Sequence, residues 1–161
     1  MLDQMEGETQ TALEDLRDLA RGIYPPLLAD KGLPAALEAQ GRKSGLPVSL
    51  SPDGVGRYPQ EVEAAIYFSV LEALQNVAKY AEASSVDVAL SAVDGSVRFD
   101  VRDDGTGFDP SNTGYGTGLQ GISDRLSALG GSLSVESRPG AGTTISGEVP
   151  VRATLETEVA R

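Results

Sequence analysis

A carboxylate and a carboxamide one helical turn apart, Glu72 and Asn76, are the side chains of this sequence best suited to chemistry. Lys79 and Tyr80 follow at steps of three and four, which puts all four on one face of a helix. A carboxylate can accept a proton at short range, and an amide oxygen suits a hard cation that takes oxygen donors. Taken alone, the stripe reads first as a solvated helix face. Against that, Asn is a poor residue inside a helix because its amide competes for backbone hydrogen bonds, and Asn76 sits in an Ala- and Leu-rich stretch.

Three glycine-rich stretches follow in order: Asp103-Asp104-Gly105-Thr106-Gly107, Gly116-Thr117-Gly118-Leu119 and Gly140-Ala141-Gly142-Thr143-Thr144. Each alone could be turn chemistry, since Gly, Asp and Thr are what tight turns need. A calcium loop fails on its ligands: counted from Asp100, Arg102 takes a ligand position and the twelfth residue is Ser111 rather than Glu. Gly116, Gly118 and Gly121 satisfy the dinucleotide pattern G-x-G-x-x-G, with Glu136 about where a ribose-binding acid belongs. That turn should follow its strand directly, yet Phe108 to Tyr115 intervene after a strand ending near Asp103.

Composition narrows the chemistry. The 161 residues include no Cys and no His, which excludes disulfides, thiolate or imidazole metal sites and every Ser-His or Cys-His catalytic pair. Any metal must therefore be held by oxygen. A formal net charge of -11 argues against nucleic acid as a partner, because binding a phosphate backbone needs clustered Lys and Arg. The length suits one domain with a proper core and some peripheral structure. No apolar run approaches the roughly 20 residues that span a bilayer. The start, Met1 to Glu6, lacks the layout of a signal peptide, so a cytoplasmic chain is expected, whether or not a longer parent is membrane-anchored.

The elements that must position these groups are legible from periodicity. Leu13, Leu16, Leu19, Ala20 and Ile23 share one side of a helix from Thr11 to Ile23, stopped by Tyr24-Pro25-Pro26 ahead of an apolar linker, Leu27 to Gly32. Pro34 starts a second helix that runs to about Arg42, and Pro47 to Pro52 alternates as a short edge strand. Pro59 opens the longest helix, with Val62, Ile66, Val70, Leu74, Val77 and Ala81 on its core face. Val86, Val88 and Leu90, then Val97, Phe99 and Val101, alternate around an Asp94-Gly95 hairpin turn. An amphipathic helix over Leu119 to Leu129 ends at Gly130-Gly131 and precedes strands at Leu133 to Ser137 and Thr143 to Val149. The tail, Arg152 to Arg161, lacks apolar periodicity and is expected to be mobile. The order predicts an α/β two-layer sandwich, one sheet face packed on helices.

In order and spacing, the Glu72 to Asn76 segment and the three glycine-rich stretches resemble the N, G1, G2 and G3 boxes of the GHKL ATPases, and within them the ATP-binding catalytic domain of two-component sensor histidine kinases. The likeness runs from about Pro59 to Val151 and implies a Bergerat-type ATP-binding fold, a mixed sheet packed on helices. It implies ATP and Mg2+ as ligands, with Asn76 as metal ligand and Glu72 polarising or deprotonating the attacking nucleophile. Lys79 would face the phosphates, with Tyr80 beside it. Asp103 would accept a hydrogen bond from the adenine exocyclic amine, while Gly105 and Gly107 let the backbone approach the base. Family members often carry Asn where this chain has Asp104. Phe108 to Tyr115 would form a short lid without a recognisable F box. Gly116, Thr117, Gly118 and Leu119 would end that lid and open a helix whose free amides face the phosphates. Gly142 would bring the last strand near the base, and Thr143 and Thr144 would hydrogen-bond near the adenine, directly or through water.

Leu16 to Leu28, including Tyr24-Pro25-Pro26, looks like the end of the dimerisation and phosphoacceptor region of kinases that partner helix-turn-helix response regulators. The resemblance divides the chain into 1–27, the second dimerisation helix; 28–151, the catalytic domain; and 152–161, a tail. It implies γ-phosphoryl transfer to a histidine outside this chain, with the parent kinase's phosphoacceptor helix and a cognate response regulator as partners and a homodimer in the full-length protein. Two other readings stand beside it. An anti-sigma-type serine kinase of the same fold fits the Tyr24-Pro25-Pro26 element less well, and a non-catalytic nucleotide-binding module would be marked by a broken N box, whereas Glu72 and Asn76 are both present.

Overall fold

The computed structural model describes residues 25–108 and 117–151. The helix expected over Thr11 to Ile23, the residues from Asp109 to Gly116 and the tail from Arg152 lie outside them. The apolar linker expected over Leu27 to Gly32 is instead helical, as α1 (Pro26–Lys31). Proline in a first turn forfeits no hydrogen bond and arrives with helical φ, so Pro26 starts a helix, and Leu28 is fully buried beneath it. Gly32, at φ 91°, separates α1 from α2 (Leu33–Lys43), which carries Pro34 in its first turn.

Five strands form one mixed sheet: β1 (Val48–Asp53), β2 (Val86–Val93), β3 (Ser96–Asp103), β4 (Ser132–Ser137) and β5 (Thr143–Pro150). Their order is β1-β2-β3-β5-β4, with β1 parallel to β2 and every other pair antiparallel. Asp94 and Gly95 both have positive φ, 48° and 79°, the geometry that matches a two-residue turn to the twist of its strands. Val86, Val88, Leu90, Val97, Phe99, Val101, Ile145 and Val149 are buried on one face, beneath α3 (Gln60–Asn76) and α4 (Thr117–Ser127). Gly147 leaves the space that the Phe99 ring and Leu126 fill, since a Cβ there would stand 2.5 Å from the ring. The opposite face is polar: Arg98 pairs with Asp100 at 3.1 Å, and Ser146 donates to the same carboxylate. The sheet's edges differ in kind, β1 ending in exposed Pro52 and Asp53 and β4 alternating exposed Ser132, Ser134 and Glu136 with half-buried Leu133 and Val135. The result is the expected two-layer α/β sandwich.

Periodicity predicts one core face for α3, but the helix is buried nearly all round, because the sheet, α2 and α4 pack on different sides of it. Glu63, 1% exposed, lies in its first turn. Arg57 makes that burial tolerable by donating to both carboxylate oxygens, Nε to Oε2 at 3.0 Å and Nη2 to Oε1 at 3.2 Å. The same guanidinium donates to the carbonyls of Leu28, Ala29 and Asp30, closing the C-terminal end of α1. Arg57 thereby fastens α1 to the start of the helix that carries Glu72 and Asn76.

Candidate functional site

Beyond Asn76 the α3 helix widens into a π-helical turn, Val77–Ala81, which ends at Glu82 in the left-handed conformation, φ 50°. Such a turn bonds one residue further along the chain than an α-helix, so the step of three or four that aligns Glu72 with Asn76 does not carry unchanged to Lys79. Lys79 is exposed. The side chain of Tyr80 lies outside the described set.

Glu72 and Asn76 meet the first turn of α4. A Cβ on Gly118 would stand 2.7 Å from Glu72 Oε1, 3.1 Å from Asn76 Nδ2 and 3.2 Å from Asn76 Oδ1. Glycine at 118 therefore lets the helix start press against both functional groups. The free N–H groups of that first turn form a ready anion site beside a carboxamide oxygen. Leu119 is buried and anchors the turn, while Gly116 and the side chain of Thr117 lie outside the described residues. Among the described residues no group of three or more His, Cys, Asp or Glu could hold a metal. A magnesium ion on phosphates does not need one, because it keeps waters and substrate oxygens and takes one or two protein donors. Asn76 Oδ1 fits that single role.

A second cluster lies at the ends of β3 and β5. Asp103 is the last inward residue of β3 and pairs across the ladder with Thr143, which pairs in turn with Ser137 on β4. One Asp103 oxygen accepts from the Gly105 N–H at 2.8 Å. Burial pushes the Asp103 carboxyl above the ordinary aspartate range, against the opposing pull of the Gly105 and Thr143 N–H groups. Two close approaches build the loop around it: a Cβ on Gly107 would sit 2.0 Å from Arg138 O, and one on Gly142 would sit 2.2 Å from Asp103 O. Gly105 is buried between them.

Ser137, which the sequence reading did not single out, holds this cluster together. Its hydroxyl donates to Gly142 O at 3.2 Å, accepts from the Phe108 N–H at 2.8 Å and lies 2.7 Å from Thr143 Oγ1. With the Ser137 proton committed to Gly142, the Thr143 hydroxyl donates to Ser137 and keeps its own lone pairs for an incoming donor. Thr144 alternates to the opposite face of β5 and is not brought together with Asp103. A serine in an alternating strand carries no sign of such a role. It becomes visible only once the register sets it beside Thr143.

Asp104 joins the two clusters. One carboxylate oxygen accepts from the Ser84 N–H at 2.8 Å and the Ser85 N–H at 3.1 Å, tying the segment that follows the π-helical turn to the end of β3. Those two hydrogen bonds, Ser85 first, hold its carboxyl below the usual aspartate range. An Asn here would offer the same acceptor without the charge, which accounts for the interchange in chemical terms. An apolar groove of about 580 Å³ between α2, β1 and α3, lined by Leu37, Val48, Leu50 and Val70 among others, contains none of these site residues.

Residues 61–153 match the family model described as histidine kinase-, DNA gyrase B- and HSP90-like ATPase. The chain is 32% identical over 157 residues to the oxygen sensor histidine kinase NreB of Staphylococcus carnosus, covering 92% of this chain and 45% of that protein. It is 32% identical over 148 residues to the signal transduction histidine-protein kinase/phosphatase DegS of Brevibacillus brevis, covering 88% of this chain and 38% of that one. The chain thus spans less than half the length of these relatives. Among solved structures, the blue-light activated histidine kinase of Erythrobacter litoralis superposes with a TM-score of 0.63 at 24% identity, over 75% of this chain and 41% of that one. Full-length ShkA in complex with AMPPNP superposes with a TM-score of 0.58 at 26% identity, over 71% of this chain and 27% of that one. No described helix is long and apolar enough to cross a membrane.

Proposed function

The chain belongs to the histidine kinase-, DNA gyrase B- and HSP90-like ATPase family, and from that premise we propose that it binds Mg-ATP and delivers the γ-phosphoryl group to a histidine supplied by another segment of a sensor kinase. The observation that carries this reading is the contact of Gly118 with both Glu72 and Asn76 at the amino end of α4. ShkA, a fold neighbour, is described as a complex with AMPPNP, an ATP analogue, which supports a nucleotide in the corresponding place here. The proposed division is 1–27 for the end of a dimerisation region, 28–151 for the catalytic domain and 152–161 for a tail.

In this scheme the first-turn amides of α4 hold the phosphates, and Lys79 adds a point charge at the rim. Asn76 Oδ1 would ligate Mg2+, which when bound neutralises charge developing on the phosphate oxygens. Glu72 orients the acceptor imidazole and takes its proton as the new N–P bond forms and the bond to the ADP oxygen breaks. Asp103 reads the adenine amine, and Thr143 offers the acceptor lone pairs described above. The acceptor helix, a response regulator and a dimer of the full-length protein complete the proposed partners.

The assay is direct. Mixed with a longer form of the parent kinase that carries the acceptor helix and Asn76→Ala, this chain should label that protein on histidine, giving a base-stable and acid-labile phosphate. Acid-stable label on serine would favour the serine-kinase alternative.

Base recognition has its own test. Calorimetry should detect ATP and ADP but little GTP, since guanine sets a carbonyl where Asp103 needs a donor. The pH sign follows from burial. A neutral Asp103 is favoured in the folded protein, so the stability it contributes is complete below the unfolded pKa and is lost as pH rises through the elevated folded one. A hydrogen bond from adenine favours the ionised form instead. ATP affinity should therefore weaken as pH falls through that raised pKa, and Asp103→Asn should abolish the dependence. Equal binding of GTP would remove the role of Asp103.

A further inference from the structure

Glu72 and, one turn earlier, Phe68 both face α4. Gly118 closes on one side, and one heptad later Arg125 lies on the same face of the helix, opposite the earlier turn of α3 that carries Phe68. The Arg125 guanidinium stands 5.9 Å from the centre of the Phe68 ring, one turn from Glu72, in cation–π geometry. It is half-buried. Burial lowers its pKa, and the negative charge of Glu72 works in the opposite direction. Among the described residues the two charges form no ion pair within contact distance, so they act on each other through space. A half-buried guanidinium set against an aromatic ring, with the Glu72 carboxylate as counter-charge, is unlike the exposed pair Arg42–Glu38 on α2.

We propose that Arg125 is a positioning residue for Glu72: held against Phe68, one turn of α3 away, it supplies a positive charge that keeps the Glu72 carboxylate turned toward the acceptor while Gly118 limits it from the other side. The inference rests on the functional reading above. Contact with Phe68 keeps the half-buried guanidinium in a water-poor setting, where its field on Glu72 is stronger than in bulk water. Lys would retain the charge without the guanidinium, whereas Met would retain the stem and lose the charge.

The experiment is a double-mutant cycle in histidine labelling, using this chain with the acceptor-bearing parent described above. Arg125→Met should lower kcat about tenfold, less than the hundredfold that an outright misplacement of about 1 Å can cost, with KM for ATP and calorimetric ATP affinity within about twofold of the unsubstituted chain. In a Glu72→Gln background the same substitution should change kcat by less than about twofold. Arg125→Lys should recover a substantial part of the lost kcat. A full, multiplicative loss in the Glu72→Gln background overturns the inference, as does a loss that falls on ATP affinity, or a Lys variant no better than the Met variant. An unsubstituted chain that binds ATP and labels no histidine sinks the functional reading itself, an outcome separate from any comparison among the variants.

Discussion

Gly142→Ala is expected to cost about 4 kcal/mol or more, a large share of the roughly 5–15 kcal/mol that holds a domain of this size together. Two penalties coincide at this residue. Its φ of 79° lies in the region that side chains avoid, and its added Cβ would meet the Asp103 carbonyl oxygen at 2.2 Å, backbone against backbone, with no flexible end to yield. Relief requires β5 to part from β3 where Thr143 and Asp103 pair, so the base-reading carboxylate moves along with the strand. Gly140 supplies the control. Its φ is 82°, yet nothing lies within 4 Å of its Cβ position, so Gly140→Ala should cost only about 1 kcal/mol. Thermal melts should place the Gly142 variant roughly 10 °C below the unsubstituted chain and the Gly140 variant only a few degrees below it. Equal melting points for the two would mean that the close approach at Asp103 does not hold.

The second large effect separates Glu72 from Asn76. If Glu72 handles the nucleophile, Glu72→Gln should reduce histidine labelling by about 10²–10⁴-fold while leaving Mg-ATP affinity nearly unchanged. Asn76→Ala should lower labelling and also weaken Mg-ATP, and the deficit should shrink when nucleotide is titrated without magnesium, because the lost oxygen is a metal donor. Both chains should melt normally, since neither side chain belongs to the core. Unchanged labelling in both variants would reduce the stripe to a solvated helix face.

Much of this arrangement can be read from spacing, and the parts that cannot share a physical cause. The alternation of Val86, Val88, Leu90, Val97, Phe99 and Val101 encodes a strand pair because one face is buried and the other is wet, and the sheet keeps that distinction. The one-turn interval of Glu72 and Asn76 survives because α3 is regular there. Lys79 does not follow suit, since a π-helical turn has no signature in a 3.6-residue pattern. Pro25-Pro26 reads as a stop, yet the second proline of such a pair is also a good first helical residue, and the burial of Leu28 decides for helix. Ser137, Asp104 and Arg125 act through partners 5 to 57 residues away in sequence, Gly142, Thr143, Phe108, Ser84, Ser85, Glu72 and Phe68 among them. Local pattern cannot disclose pairings that only the register and the helix packing create.

The two edge strands bear on solubility at close quarters. An open sheet invites a neighbour's strand to add itself, and the hazard grows when two copies are tethered together and meet at high local concentration. Here β1 is only six residues long, and its Pro52 cannot donate at a ladder position where a docking strand would look for a bond. Next to it Asp53 adds a charge, and at the far edge β4 offers Glu136 after Ser132 and Ser134 on its exposed face. With a net charge of -11 over the whole chain, copies of this domain also repel one another at long range. The sheet is thus poorly suited to strand exchange, so crowded neighbours can turn and swing past each other without zipping into a shared sheet.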